Sequence, residues 1–307
     1  MIVSCGEALV DLVPEPVAGG GPMNVAVAAA RLGVPAAFVG AVSTDEFGDL
    51  LWAHLESNGV DLRLCPRLDA PTARAIVEHV PELRFRFEGD GTADTLLDSV
   101  DLSRLGPGPH IVHGGTLGMF RGTTAETLAR LAESHDGIVS LDCNVRPQII
   151  DDPERWHHFH ERWLWNTNIY KGSDEDFGWI WPGRSMESCA EQLISNGTEV
   201  VVLTRGSEGL SIVTDDGEVR AAAPSITVAD TVGAGDTIVG ALLSSLWNHG
   251  DGSGTASLND IGPSDWLAFA QRAVEAAAIT CSRPGADPPY RSELDAWPDR
   301  ATDRRRS

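Results

Sequence analysis

The chain has 307 residues, 42% of them hydrophobic and 22% charged, which is enough to bury a large core. Its 23 lysine and arginine residues face 45 aspartate and glutamate residues, giving a formal net charge of −22. That charge repels the phosphates of nucleic acids and anionic lipids, so neither is expected as a partner. The apolar runs are far shorter than the roughly 20 residues of a membrane helix, and no basic leader precedes the first apolar residues. A cytoplasmic protein is therefore expected.

The numbers and positions of lysine and cysteine further limit the kinds of site that the chain can contain. Lys171 is the only lysine and follows Tyr170, so the Gly-Lys-Ser/Thr phosphate loop is absent. An anion site must then use arginine, metal ions or helix N-termini. The five cysteines are scattered without Cys-x-x-Cys spacing, which is typical of reduced, packed thiols.

Short β-rich runs alternate with helical stretches along the chain, which is typical of a mostly parallel sheet with helices on both faces. We predict strands at 2–5, 37–42, 111–114, 138–142, 168–170 and 200–204. Helices are predicted at 24–32, 45–58, 124–134, 153–163, 185–195, 234–248 and 266–281. The alternation breaks at 61–89, where 73–80 and 83–87 form a hairpin, so a small β appendage is expected within about 61–94. We expect a single domain over 1–300, followed by a charged tail at 301–307.

The strongest motif is the stretch DTVGAGD from Asp230 to Asp236, which leads directly into the apolar period of a helix. A turn of small residues that opens a helix presents backbone N–H groups and the positive end of the helix dipole, which suits a phosphoryl group. Gly233 and Gly235 let the backbone approach that anion closely. A carboxylate at this place is unfavourable unless it acts, so Asp236 is expected to take a proton from an attacking hydroxyl. The alternative is that Asp236 only caps the helix.

A second glycine cluster opens the first predicted helix. It runs from Gly19 to Asn24 and follows the polar interruptions Glu7 and Asp11 in an otherwise apolar beginning. Asp11 and Asn24 together offer acceptors and donors suited to the vicinal hydroxyls of a polyol. The alternative is a glycine turn with two ordinary polar caps.

With these motifs the sequence resembles the PfkB, or ribokinase-like, family of carbohydrate kinases, from Gly6 to about Pro289. Both family signatures occur, at 20–26 with Gly33 and at 230–236. The stretch 142–147 resembles the family's Asp-x-Asn-x-Arg, 204–209 its nucleotide-binding Thr-x-Gly-x-x-Gly, and 281–286 the segment that closes over adenine. The resemblance implies an α/β fold, a ribokinase-like three-layer sandwich with a mostly parallel central sheet, helices on both faces and a small β lid that excludes water.

The resemblance also implies roles for individual residues. Asp236 would be the general base, and Gly233, Ala234 and Gly235 would form the anion hole. Sugar binding is implied for Asp11, Gly20, Gly21, Asn24 and Asn144, and Arg146 would contact the sugar or the γ-phosphate. Nucleotide binding is implied for Lys171, Ser173, Thr204, Gly206, Gly209 and Gly285. Asp176 would place magnesium through water, and a monovalent cation such as K⁺ would lie beside Asp230. ATP and Mg²⁺ are thus the expected cofactors. The alternative for Arg146 is a structural ion pair, with Asp142, Asp151 or Asp152 as partner.

Two departures from the family pattern bear on these roles. The stretch 173–176 stands where the family has Asn-x-x-Glu. Only residues 12–18 separate Asp11 from the glycine cluster, fewer than relatives use for their first lid strands. We therefore expect a small or incomplete lid, which a homodimer would cover or which would permit ATP hydrolysis without sugar.

The expected activity is ATP-dependent phosphorylation of a sugar hydroxyl. The stretches 6–11, 70–72 and 91–94 resemble the fructokinase branch, and 2-keto-3-deoxygluconate kinase, ribokinase and nucleoside kinase remain open. From another class, the chain could be a catalytically silent sugar or nucleotide sensor. Asp236 argues against the sensor, because a sensor needs no base beside the phosphate.

Overall fold

The computed structural model describes residues 1–13, 15–79, 83–249 and 257–297. The turn expected at 81–82 and the tail expected at 301–307 lie outside the described residues. No helix within the described residues is long and apolar enough to cross a membrane.

The strands in the described ranges are β1 Ile2–Cys5, β2 Leu9–Val13, β3 Glu15–Gly19, β4 Ala36–Val39, β5 Val42–Ser43, β6 Arg67–Leu68, β7 Arg74–His79, β8 Leu83–Glu88, β9 Ile111–Gly115, β10 Ile138–Asp142, β11 Ile169–Ser173, β12 Val200–Thr204, β13 Leu210–Thr214 and β14 Gly217–Ala221. The α-helices are α1 Gly21–Arg31, α2 Glu46–Ser57, α3 Gly122–Ser134, α4 Pro153–Leu164, α5 Asp174–Ile180, α6 Met186–Ser195, α7 Ala234–Asn248, α8 Pro263–Cys281 and α9 Arg291–Asp295.

The main sheet has the strand order β14-β13-β12-β11-β10-β9-β1-β4. The strands from β4 to β12 are parallel, whereas β13 is antiparallel to both of its neighbours. This arrangement confirms the predicted mostly parallel sheet. The β13–β14 hairpin, which the sequence reasoning missed, adds an antiparallel edge. Because the parallel strands point the same way, their carboxyl ends share one edge, where α/β folds bind ligands.

Helices cover both faces of this sheet. Neighbouring strand residues such as Ile2 and Val3 point to opposite faces and belong to two different core clusters. One cluster includes side chains of α3, α4, α5 and α6, and the other includes side chains of α1, α7 and α8. Since both faces are buried, the strands are nearly continuous in apolar residues, which made them recognisable in the sequence.

A second sheet forms the β appendage, which we call the lid, with the strand order β3-β2-β7-β8. The expected range of 61–94 is too narrow, because β2 and β3 come from residues 9–19. The expectation of an incomplete lid is also wrong. The short segment itself folds as a tight hairpin in which Val13 pairs with Glu15, so few residues suffice for two strands.

The two faces of the lid differ. Val10 belongs to a core cluster that includes Leu51 and Leu55 of α2, and Leu12 packs against the same cluster. Side chains alternate along a strand, so Asp11 lies on the opposite face. The lid is thus anchored through one face and presents Asp11 on the other.

Candidate active site

The predicted catalytic motif begins α7. Gly233 precedes the helix in the left-handed region with φ of 74°, and a Cβ there would lie 2.5 Å from the Cβ of Ala286. Glycine is therefore required at this turn for two reasons. In the first turn of α7, the carboxylate of Asp236 is buried, and its Oδ2 accepts a hydrogen bond from Asn24 Nδ2 at 2.8 Å. The two glycine motifs, 212 residues apart at this contact, thus meet at one place.

Burial raises the pKa of Asp236. The hydrogen bond from Asn24 and the positive charges of Lys171 and Arg146 act in the opposite direction without cancelling that rise. A carboxylate that is short of solvent but still held by one donor is a stronger proton acceptor than an exposed aspartate. Its hydrogen bond crosses to another helix, whereas a helix cap bonds to N–H groups of its own first turn.

The helix α1 starts at Gly21, three residues before the predicted start. Gly20, with φ of 117°, is its N-cap, and a Cβ there would lie 2.6 Å from the backbone oxygen of Glu7. A Cβ on Gly21 would lie 2.8 Å from Thr116 Oγ1 and 3.4 Å from both Asn144 Nδ2 and Asp236 Oδ1. The bare backbone of Gly21 therefore faces three polar groups from three other parts of the chain.

Thr116 and Asn144 have positive φ angles of 52° and 35°. They follow β9 and β10, adjacent parallel strands, and Asn144 Nδ2 lies 3.5 Å from Thr116 Oγ1. Left-handed backbone at non-glycine residues costs energy, and such residues cluster at functional sites. The motif stretch predicted Asn144, but nothing in the sequence marked Thr116.

Glu7 is a further site residue that the sequence did not assign. Its buried carboxylate accepts from the backbone N–H of Gly21 at 3.2 Å and of Gly118 at 2.8 Å. Burial, with smaller contributions from the charges of Asp94 and Asp236, raises the pKa of Glu7 to about 8. Glu7 joins the start of α1 to the turn after β9. Its only signal in the sequence was a carboxylate in an apolar stretch.

Asp142, the last residue of β10, forms a buried ion pair with Lys171 on the neighbouring strand β11. Lys171 Nζ donates to the two carboxylate oxygens of Asp142 at 2.8 and 3.0 Å. Burial raises the pKa of Asp142 to about 6. Burial lowers the pKa of Lys171, but the charges of Asp142, Asp176 and Asp236 and the hydrogen bond to Asp142 together outweigh this, so that pKa is raised. The Lys171 ammonium lies behind the predicted anion hole, 3.1 Å from where a Cβ on Gly235 would be.

Asp142 was one of the acids considered as a structural partner for Arg146, and its buried partner is Lys171 instead. Arg146 Nη1 donates to the backbone oxygen of Val145 at 3.1 Å. The charge of Arg146 also reaches Asp236, where it lowers the pKa of the carboxyl. Arg146 therefore contributes positive potential at the predicted base.

Asp176 orders the loop that carries Asn144 and Arg146. Its Oδ1 accepts from Val145 N at 2.6 Å, and its Oδ2 accepts from Ser173 N at 2.8 Å and Ser173 Oγ at 2.7 Å. Ser173 and Asp176, which stand where the family has Asn-x-x-Glu, thus form a capping box at the start of α5. Among the described residues no group of three or more histidine, cysteine or acidic side chains is arranged to hold a metal ion. A role for Asp176 toward magnesium stays a prediction.

Ser173 and Thr204, two of the predicted nucleotide residues, are the paired last residues of β11 and β12, and Gly206 and Gly209 follow β12. Thr204 Oγ1 lies 3.5 Å from the backbone oxygen of Gly172. Gly206 and Gly209 have positive φ, and a Cβ on Gly209 would lie 2.1 Å from the backbone oxygen of Ala221. Gly209 therefore also serves the turn into β13.

Asp230 connects the anion-hole turn to the predicted adenine segment. Its Oδ1 accepts from Val232 N at 3.1 Å and its Oδ2 from Gly285 N at 2.9 Å. These bonds, with the contact between Gly233 and Ala286, hold the two loops together. Both Asp230 oxygens thus accept backbone N–H groups, and a role beside K⁺ stays a prediction.

Asp11 approaches the site from the lid. A Cβ on Gly19 would lie 2.4 Å from Asp11 Oδ2, so glycine leaves room for the carboxylate. Burial, followed by the charge of Asp236, raises the pKa of Asp11 to about 6. Asp11 of the lid therefore lies within electrostatic reach of Asp236 in the body.

A buried carboxylate at a helix N-terminus, polar groups at the carboxyl ends of parallel strands and a β lid together are typical of an enzyme that transfers a phosphoryl group to a hydroxyl. The family model described as pfkB family carbohydrate kinase matches residues 14–293. The chain belongs to this family, as its motifs predicted.

Similar proteins with assigned activities include fructokinases. The fructokinase of Rhizobium leguminosarum bv. trifolii is 34% identical over 80% of this chain and 79% of its own length. The fructokinase of Escherichia coli is 30% identical over 95% of this chain and 97% of its own length.

The solved structures of two kinases, a fructokinase and an aminoimidazole riboside kinase, share the fold of this chain. A fructokinase with bound ATP from Xylella fastidiosa has a TM-score of 0.85 at 26% identity and covers 98% of each chain. The aminoimidazole riboside kinase of Salmonella enterica, solved with aminoimidazole riboside and an ATP analogue, has a TM-score of 0.82 at 25% identity, covering 96% of this chain and 99% of its own. The predicted ribokinase-like architecture is confirmed, and the chain is a carbohydrate kinase.

Proposed function

We propose that this carbohydrate kinase transfers the γ-phosphoryl group of MgATP to a hydroxyl of fructose. The observation that carries the proposal is the hydrogen bond from Asn24 to Asp236, which joins both signature motifs beneath Asp11 of the lid. The similarity to fructokinases over most of the chain supports fructose as the acceptor.

In the proposed reaction, Asp11 and Asn24 bind sugar hydroxyls, and Asp236 Oδ1 accepts the proton of the attacking hydroxyl. As the sugar oxygen bonds to the γ-phosphorus, the bond from that phosphorus to the bridging oxygen of ADP breaks. The backbone N–H groups of 233–235 stabilise the negative charge on the transferred group. Lys171 and Arg146 add positive potential from behind and beside that site.

Magnesium enters as part of the nucleotide substrate. Mg²⁺ keeps several waters and takes its ligands from phosphates and one or two carboxylates, so it needs no dedicated protein cage. It neutralises charge on the β- and γ-phosphates. The proposed protein contribution is a water-mediated contact from Asp176, and K⁺ is proposed beside Asp230.

A neutral sugar suits the charges at the lid end of the cleft better than a sugar acid. Glu7, Asp11 and Asp94 are carboxylic acids in this region, and the nearby Arg121 is already paired with Asp94. The carboxylate of 2-keto-3-deoxygluconate would meet the negative charge of Asp11 there, while the cation of Arg121 is balanced by Asp94. Fructose carries no charge and exchanges hydrogen bonds with the same groups.

We also propose a homodimer in the cytoplasm, where ATP is available. Val13 and Val17 are 47% and 42% exposed and lie on the Asp11 face of the lid, where a second copy would cover them. Light scattering is expected to give twice the chain mass of 32.7 kDa. A monomeric mass would contradict this proposal without affecting the kinase assignment.

An ADP-release assay tests the activity. Fructose, 2-keto-3-deoxygluconate, ribose, a nucleoside and a sugar-free blank are compared at saturating MgATP. We expect the highest kcat/KM with fructose. A higher kcat/KM for another acceptor would replace fructose, and binding of a sugar without turnover of any would identify a sensor.

A further inference from the structure

Arg121 lies where the lid meets the body of the protein. It is the N-cap residue of α3, and its Nη2 donates to the backbone oxygen of Gly89, just after β8. The guanidinium carbon lies 4.8 Å from the centre of the Phe87 ring. With its side chain only 12% exposed, Arg121 is a largely desolvated cation at the base of the lid.

Strand register places Phe87, on which this cation stacks, on the same face of the lid as Asp11. Asp11 pairs with Ala75, and Ala75 pairs with Phe87, so the three side chains lie on one face. Adjacent strands are about 4.8 Å apart, which puts Phe87 about 10 Å from Asp11 across that face. A sugar held by Asp11 along this face would therefore extend toward Phe87 and the Arg121 guanidinium that stacks on it.

Asp94 is the buried partner of Arg121. Its carboxylate is 3% exposed, and its Oδ2 lies 3.7 Å from Arg121 Nη1. Within the described part of the chain, Asp94 Oδ1 and Arg121 Nη1 are both buried without a hydrogen-bond partner. Asp90 lies 3.6 Å from Arg121 Nη2 but is fully exposed, so solvent screens its charge.

This ion pair decides whether a carboxylate is attracted toward Arg121. A free arginine binds carboxylates through two parallel N–H groups. The buried negative charge of Asp94 cancels that attraction. Because Arg121 Nη1 faces Asp94, it cannot donate to a carboxylate ligand. The affinity for an uncharged sugar depends much less on whether the charge of Arg121 is balanced.

We propose that Asp94 is a specificity-determining residue, which neutralises Arg121 so that the cleft accepts uncharged sugars and rejects sugar acids. The proposal rests on the proposed neutral-sugar function. It assigns selectivity to a residue below the lid that need not touch the sugar.

Calorimetric binding of fructose and of 2-keto-3-deoxygluconate tests the proposal without requiring turnover. In Asp94→Asn, the dissociation constant of the sugar acid relative to that of fructose is expected to fall at least ten-fold. Asp90→Asn is the matched control, because it makes the same change at the exposed neighbour of Arg121, and it should leave the ratio unchanged. The double variant Asp94→Asn/Arg121→Gln, which removes both charges, should return the ratio to the wild-type value.

An unchanged ratio in Asp94→Asn, or an equal change in Asp90→Asn, would overturn the proposal. If Asp94→Asn does not fold, Arg121→Gln decides: its unbalanced Asp94 charge should weaken sugar-acid binding further relative to fructose. An unchanged ratio in that variant would also overturn the proposal. Whether fructose is a substrate is decided separately: if it is not, the wild-type protein releases no ADP when fructose is supplied.

Discussion

Replacing Asp236 by asparagine isolates proton transfer from the other contributions to catalysis. Asparagine has nearly the same size, and its side-chain oxygen can still accept the hydrogen bond that Asn24 donates at 2.8 Å. The packing at the start of α7 is therefore kept. What disappears is the negative charge and with it the ability to accept the proton of the sugar hydroxyl.

The expected fall in kcat follows from the contribution that a general base makes to catalysis. A positioned general base contributes about 10²- to 10⁴-fold, and each factor of ten is about 1.36 kcal/mol of activation free energy. The hydrogen bond to Asn24, of about 1 kcal/mol, remains. We expect kcat to fall at least about 100-fold, because the proton acceptor is lost. The dissociation constant of MgATP should stay within a few-fold, because the backbone N–H groups and the positive charges at the phosphate site are kept.

The assay combines steady-state ADP release with fructose and calorimetric binding of MgATP. Asp216→Asn makes the same chemical change in the exposed turn between β13 and β14 and should leave kcat unaltered. In the wild-type protein, kcat should fall as the pH drops through the raised pKa of Asp236, because the base must be ionised. This acid limb should be missing in Asp236→Asn. Near-normal turnover of the variant would refute the assignment of the base.

Two further predictions concern the sugar and the phosphate. Asp11→Ala should raise the KM for fructose at least about ten-fold in steady-state assays and leave the KM for MgATP unchanged, because a hydroxyl acceptor is lost only at the lid; a rise in the MgATP KM instead would place Asp11 at the other end of the cleft. Arg146→Lys keeps the charge but loses the planar guanidinium, so kcat should fall at least about ten-fold with an unchanged melting temperature. An intact kcat with a lowered melting temperature would identify Arg146 as a structural residue.

The sequence by itself determined the architecture of the body and the start of the catalytic helix. Strands that are buried on both faces appear as apolar runs, and α7 begins at Ala234 as its glycine turn predicted. These signals are local, because helix and strand periods and glycine turns depend on neighbouring residues. The motif matches likewise indicated Asp236, Asn24 and Asn144, which the fold brings within reach of Gly21.

Only the tertiary structure decided which polar groups meet. The Lys171 pair with Asp142, the two N–H bonds to Glu7, and the Asp94 contact with Arg121 join residues 14 to 111 positions apart. No local pattern encodes such pairs, because the order of the strands sets their proximity and burial sets their energy. The lid strands β2 and β3 were missed for a related reason. Their short, half-exposed segment has a weak pattern of its own and is stabilised by pairing with β7 and by packing on α2.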